Sequence, residues 1–273
     1  MTIQILPRSL IGILGPPRSG TTLIANAMIA HSQATGIIEP YQVRRNVNYH
    51  EADPAALIRD FKISTDMAPH VFVKETTTRV LNVTTTLDLL QGAREKGIYT
   101  GLVVILRRPL DAYLSQIEAS RMLWRQKLMT EISETTFDAF AIGIQRGLFQ
   151  ICRRARTQHY RLISYERFCS KPKTELARLM ALVPLCLEAS QLLFKPPGKI
   201  AVGGDPKTKL KAGGIAPACR EEDVAFLRKR FAGRATLRFF DELEAFVLDR
   251  VGVVPDRILL DELTLLLLRR WAG

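Results

Sequence analysis

Residues 10–28, LIGILGPPRSGTTLIANAM, constrain this chain more than any other stretch. An apolar run from Leu10 to Leu14 breaks at Gly15 and crosses Pro16, Pro17, Arg18, Ser19 and Gly20. It resumes at Leu23, Ile24, Ala27 and Met28 with helical spacing. The pattern predicts strand, tight turn and helix. Such a turn aims the backbone N–H groups of Ser19 to Thr22 outward at the positive end of a helix dipole, and Ser19, Thr21 and Thr22 add hydroxyls. It suits an anion. A chain built on this unit is expected to be α/β, with a central parallel β-sheet flanked by helices and the anion loop at the C-terminal edge of the strands.

The ATP-binding P-loop reads G-x-x-x-x-G-K-[ST], and residues 15–22 fit it except at Thr21, which stands in the lysine position. The positive charge sits earlier, on Arg18. Without the lysine that reaches terminal phosphates, the loop is poorly suited to ATP hydrolysis. The segment Pro17-Arg18-Ser19-Gly20-Thr21-Thr22-Leu23 resembles the 5′-phosphosulfate loop of sulfotransferases that use 3′-phosphoadenosine 5′-phosphosulfate (PAPS). The resemblance implies a P-loop-like sulfotransferase fold, with those seven residues holding the donor.

The length of 273 residues and the absence of a composition break predict a single domain over 1–273, with a C-terminal helical extension over about 236–273. A hydrophobic content of 47% against 24% charged residues is enough for a sizeable core. The net charge of +12 calls for an anionic partner or surface. Its basic residues fall in short scattered groups rather than one tract with interleaved aromatics, which disfavours nucleic acid. Cys152, Cys169, Cys186 and Cys219 are far apart and the histidines are dispersed, so neither a disulfide framework nor a zinc site is indicated. No signal-peptide pattern opens the chain, and no apolar run reaches the roughly 20 residues that span a bilayer. The expectation is a cytoplasmic protein with free thiols.

After a helix over about 20–31, Ile37 and Ile38 predict a short strand ending at Glu39, whose carboxylate is set by Pro40. In several sulfotransferase branches a glutamate soon after the phosphosulfate loop is the catalytic base, and Glu39 matches it in position; the alternative is a surface or capping role. Residues 41–69 read as a variable loop, with a short helix at 54–61, that lines the acceptor site. Residues 71–75 read as a buried strand with Lys74 at its end. There an ammonium would neutralise charge on the bridging oxygen as the S–O bond breaks. A lysine snorkelling to the surface is the plainer alternative.

Residues 101–106 are an unalternating apolar run of the kind that a parallel sheet covered on both faces requires. The run leads into Arg107-Arg-Pro-Leu-Asp-Ala-Tyr-Leu-Ser115, which resembles the second sulfotransferase signature, R-[D/N]-P-x-D-x-x-x-S. There the arginine and the serine bind the donor's 3′-phosphate. Pro109 suits a first helical turn and Asp111 its dipole. Arg108 departs from the usual Asp or Asn, and the spacing to Ser115 favours Arg107 as the phosphate ligand. Helices are expected over 110–124 and 136–156.

Residues 161–166 read as another strand. Tyr165-Glu166 with Pro172 resembles the family's Y-E-D-L-x-x-x-P segment, which implies that Tyr165 lies near the adenine. A helix over 173–183 follows. The glycine-rich basic loop at 201–214 looks like the loop that closes over the nucleotide in bacterial sulfotransferases, which would make Lys207 a donor contact. Helical stretches at 237–251 and 256–271 complete the chain. The second suits a membrane surface or a homodimer contact, with packing on the domain its commoner use.

The resemblance implies sulfuryl transfer from PAPS to a hydroxyl or amine of a small-molecule, glycan or lipid acceptor, leaving 3′,5′-adenosine bisphosphate. Glu39, Lys74 and Arg18 would be catalytic. Pro17 to Leu23, Arg107, Ser115, Tyr165 and Lys207 would bind the donor, and no metal would be required because the cations replace it. Two alternatives stand beside it: a P-loop kinase or NTPase, and a non-catalytic nucleotide-binding protein.

Overall fold

The structure, a computed structural model, describes residues 6–43, 52–66, 68–121, 129–193 and 220–269. Five strands, β1 (Ser9–Gly15), β2 (Ala34–Ile38), β3 (His70–Thr76), β4 (Tyr99–Leu106) and β5 (His159–Ser164), form one parallel sheet in the order β2-β3-β1-β4-β5. Every residue of β1, β2 and β3 is buried, as the near-continuous apolar runs require when both faces are covered.

Side chains alternate between two cores. Ile11, Ile13, Phe72, Val103, Ile105 and Ile163 point to one face, which is covered by α1 (Thr21–Ile29), α7 (Tyr165–Ser170) and α8 (Pro172–Met180). Leu10, Leu14, Val71, Val73, Leu102, Val104 and Leu106 point to the other, where α4 (Val80–Glu95), α5 (Pro109–Ala119) and α6 (Glu134–Ala155) pack. Two short helices, α2 (Pro40–Val43) and α3 (Pro54–Asp60), lie between β2 and β3. Asp53 caps α3 by accepting from Ala55 N–H at 3.2 Å.

Beyond residue 220 come α9 (Glu221–Arg230), α10 (Ala235–Ala245), a π-type turn at Phe246–Arg250, and α11 (Asp256–Arg269). Leu259, Leu260, Leu263 and Leu267 of α11 are buried in the same core as α6, so this helix is packed on the sheet layer. Among the described residues, no helix is long and apolar enough to cross a membrane.

Three expectations change. The strand expected over 161–166 ends at Ser164, because Ser164 Oγ accepts from Arg167 N–H (3.3 Å) and caps α7; Tyr165 and Glu166 therefore open a helix. Helix α4 lies where no element was foreseen, and so does α9. The expected order of strand, loop and helix at residues 10–29 stands as read.

The sheet order places a switch point beside β1. The chain leaves β1 through α1 towards β3 and β2, and leaves β4 through α5 and α6 towards β5, on the opposite face. The crevice between the C-terminal ends of β1 and β4 is where such sheets bind ligands.

Candidate functional site

Both recognised loops leave that crevice. Gly15 ends β1 beside β4, and a Cβ there would lie 2.5 Å from Ile105 O and 2.6 Å from Ser19 Oγ, so only glycine fits. Gly20, the residue before α1, has φ +89, and a Cβ on it would lie 2.2 Å from Tyr165 Cδ2. Between them, Arg18 holds a left-handed φ of 67, a strained conformation for a residue with a side chain.

The expectation that Ser19 to Thr22 all present free amides needs one correction. Ser19 N–H donates to Pro16 O at 3.1 Å and closes the turn. The first helical bond runs from Ile24 N–H to Gly20 O, so the amides of Gly20 to Leu23 form the leading end of α1. The hydroxyl of Ser19 is fully buried and has no hydrogen-bond partner among the described residues. Thr21 is buried, while Thr22 and Leu23 are partly exposed.

The second loop meets the first directly. Arg18 Nε donates to Ser115 Oγ (3.1 Å) on α5, and Arg107 Nη1 donates to Arg18 O (3.0 Å). Arg107 lies with its guanidinium carbon 4.6 Å from the centroid of the Tyr165 ring, and its Nε is buried without a partner among the described residues. The Tyr165 ring thus packs on Gly20 and Arg107. Two cations, a hydroxyl and a helix N-terminus meet at one sheet edge, with Ser19 Oγ and Arg107 Nε left unsatisfied. Buried polar atoms of native proteins are normally bonded, and an anionic ligand fits this donor set.

Arg108 is used otherwise. Its Nη1 donates to Glu221 (2.9 Å), its Nε to Glu244 (3.2 Å), and its backbone N–H to Glu166 (3.0 Å). Its bond to Glu221, together with the nearby charges of Asp111 and Glu244, pushes its pKa above the usual arginine range. Asp111, fully buried in the first turn of α5, is pushed up to about 6 by burial, against the pull of Arg108 and Arg107. Arg107 faces the crevice and Arg108 faces the C-terminal helices.

At the neighbouring strand ends, the β2–β3 register aligns Ile38 with Lys74 and puts Glu39 beside the end of β3. Lys74 is 1% exposed, which excludes a snorkelling surface side chain, and its Nζ is bonded to Glu39 Oε1. Glu39 has φ 57, and its N–H donates to Lys74 O at 2.7 Å. The next residue on β3, Glu75, is completely buried and pushed up to about 7 by burial. Its Oε1 accepts from Tyr41 N–H (2.8 Å) and its Oε2 from Asn82 Nδ2 (3.3 Å). Sequence reading passed over Glu75; a second charge inside the buried run HVFVKET was the available signal. The position of Lys207 lies outside the described residues.

No protein-family model matches the chain, and no curated protein matches it in sequence. Solved structures match it in fold. The sulfotransferase domain of the Synechococcus PCC 7002 olefin synthase superposes with a TM-score of 0.52 at 14% identity, over 85% of this chain and 97% of that one. Mouse sulfotransferase SULT7A1 complexed with PAP superposes with a TM-score of 0.55 at 14% identity, over 93% of this chain and 89% of that one. The fold is that of the sulfotransferases.

Proposed function

We propose that this chain is a PAPS-dependent sulfotransferase that moves a sulfuryl group to a hydroxyl or amine of a small-molecule, glycan or lipid acceptor. The observation that carries the reading is the meeting of Arg18, Arg107 and Ser115 with the N-terminus of α1 at the β1–β4 crevice. Arg107 and Ser115 offer a guanidinium and a hydroxyl to a phosphate dianion. Ser19 Oγ and the amides of Gly20 to Thr22 receive the 5′ anion, and Arg18, tied to Ser115, bridges the two halves of the donor site.

The donor, when bound, supplies an activated sulfuryl group on a phosphate leaving group. Glu39 accepts the proton of the attacking hydroxyl or amine. Protonation removes the negative partner of Lys74, so the buried ammonium becomes available as negative charge grows on the leaving oxygen. Proton acceptance and charge stabilisation are thereby coupled in one ion pair. Tyr165 holds Arg107 in place through its ring face. The absence of a lysine at Thr21 disfavours the kinase reading.

The test is calorimetric titration of the magnesium-free protein with 3′,5′-adenosine bisphosphate, with ADP and ATP as controls. Micromolar binding that requires the 3′-phosphate, about −8 kcal/mol, is the expected result. Equal or tighter binding of ATP would overturn the reading in favour of a phosphotransferase. Tight adenosine bisphosphate binding with no transfer to any acceptor would favour a non-catalytic binding protein.

A further inference from the structure

We propose that Glu75 is a positioning residue for the Glu39–Lys74 pair: its carboxyl takes the α2 amide that Glu39 would otherwise satisfy, and so leaves the Glu39 carboxylate to Lys74. The inference rests on reading Glu39 as the base.

Glu39 is the residue immediately before α2, whose first residue is Pro40. A side-chain oxygen at a helix start can accept the N–H two or three residues ahead, and the Glu39 carboxylate is within reach of that role. Here that N–H, on Tyr41, donates to Glu75 Oε1 from the neighbouring strand (2.8 Å). The Glu39 side chain instead reaches Lys74 Nζ. Successive residues of β3 therefore grip alternate residues of one turn, Lys74 O taking Glu39 N–H (2.7 Å) and Glu75 Oε1 taking Tyr41 N–H. Pro40 between them stiffens the turn. The grip also holds Glu39 in a left-handed conformation that L side chains resist.

The other oxygen of Glu75 accepts from Asn82 in the first turn of α4. One fully buried carboxyl thus joins the end of β3 to the starts of α2 and α4. Burying a carboxyl is costly unless hydrogen bonds repay it, so its place here is explained by what it holds. Without it, the Tyr41 N–H needs a new acceptor, and the Glu39 carboxylate, two residues back, is at hand. Capture by that amide would draw Glu39 off Lys74.

The readout is the rate at which acetic anhydride acetylates Lys74, followed by mass spectrometry on the full chain. In the wild type the buried, paired ammonium reacts slowly. Glu75→Ala is expected to speed acetylation at least tenfold, with the near-ultraviolet circular dichroism and the adenosine bisphosphate affinity unchanged. Glu75→Gln, which keeps an acceptor for Tyr41 N–H, is expected to restore protection to within about threefold.

Wild-type reactivity in the alanine variant would overturn the proposal. So would equal rises in both variants, or a rise that travels with loss of tertiary structure or of nucleotide affinity. If the alanine variant fails to fold, Asn82→Ala takes its place, with a rise of about threefold expected and a wild-type rate counting against the proposal. Failure of the wild type to bind adenosine bisphosphate would sink the proposed activity but leave the labelling result standing.

Discussion

At the scale of single residues, the proposed reading puts acid–base chemistry and anion binding on different strand ends. Glu39 follows β2 and Lys74 lies near the end of β3, whereas Arg18, Arg107 and Ser115 lie at the β1 and β4 exits. Substitutions should therefore separate the two functions. Glu39→Gln keeps the shape and a hydrogen-bond acceptor for Lys74 Nζ but cannot take a proton. We expect kcat to fall about 10²- to 10⁴-fold, the usual contribution of a positioned base, with adenosine bisphosphate affinity within about threefold of wild type by calorimetry. A matching loss of affinity would assign Glu39 to donor binding instead.

At the scale of elements, the junction of β4 and α5 sends two adjacent arginines in opposite directions. On the proposed reading Arg107→Ala removes a charge-assisted contact to the donor, for which about 1.5–3 kcal/mol corresponds to a 10- to 100-fold loss of adenosine bisphosphate affinity, with the melting temperature nearly unchanged. Arg108→Ala removes the cation that Glu244 and Glu221 share where α9 and α10 meet α5, leaving Glu244 with Arg228 alone and the buried Asp111 without its nearby guanidinium. That variant should lose about 1–3 kcal/mol of stability, read by denaturant unfolding, and keep its nucleotide affinity within about fivefold. Interchanged phenotypes would reverse the assignment made from the spacing to Ser115.

The elements that carry these residues were legible to different degrees, for physical reasons. Strands β1 and β4 announce themselves because both their faces are buried and residues 10–14 and 101–106 carry no polar side chain. Helix α4 does not, since Thr84, Thr85 and Thr86 are β-branched and Val80 and Leu81 stay exposed, which blurs the apolar stripe. Helix α9 hides its buried Val224 and Leu227 among charges at both ends. At the site, the two loops could be read from local spacing. The Glu39–Lys74 pair joins residues 35 apart, and only the β2–β3 register brings them together. The apolar Leu162 and Ile163 extend a strand reading to Tyr165, whereas the Ser164 cap opens a helix there.

At the scale of the whole molecule, two opposed electrostatic effects set how stability should vary with pH. The chain carries a formal charge of +12 and a sequence pI near 9.8, so its self-repulsion declines as pH rises. His70 acts in the same sense, because burial lowers its pKa and leaves the unfolded chain binding the extra proton near neutrality.

The buried carboxyls act oppositely. Glu75 titrates at an ordinary 4.5 when unfolded and about 7 when folded, and Asp111 at 3.8 and about 6. Between those values the folded state holds protons that the unfolded state has released. The stability these two groups contribute is complete below about pH 4 and is lost as pH rises through 6 to 7. Glu75→Gln isolates one of them, because charge repulsion, His70 and Asp111 are common to both chains and cancel in the difference. The variant's melting temperature, measured against wild type, should therefore rise by several degrees between pH 5 and pH 8. A difference that stays constant over that range would mean that Glu75 ionises normally in the fold, and that its hold on Tyr41 and Asn82 is that of an ordinary carboxylate.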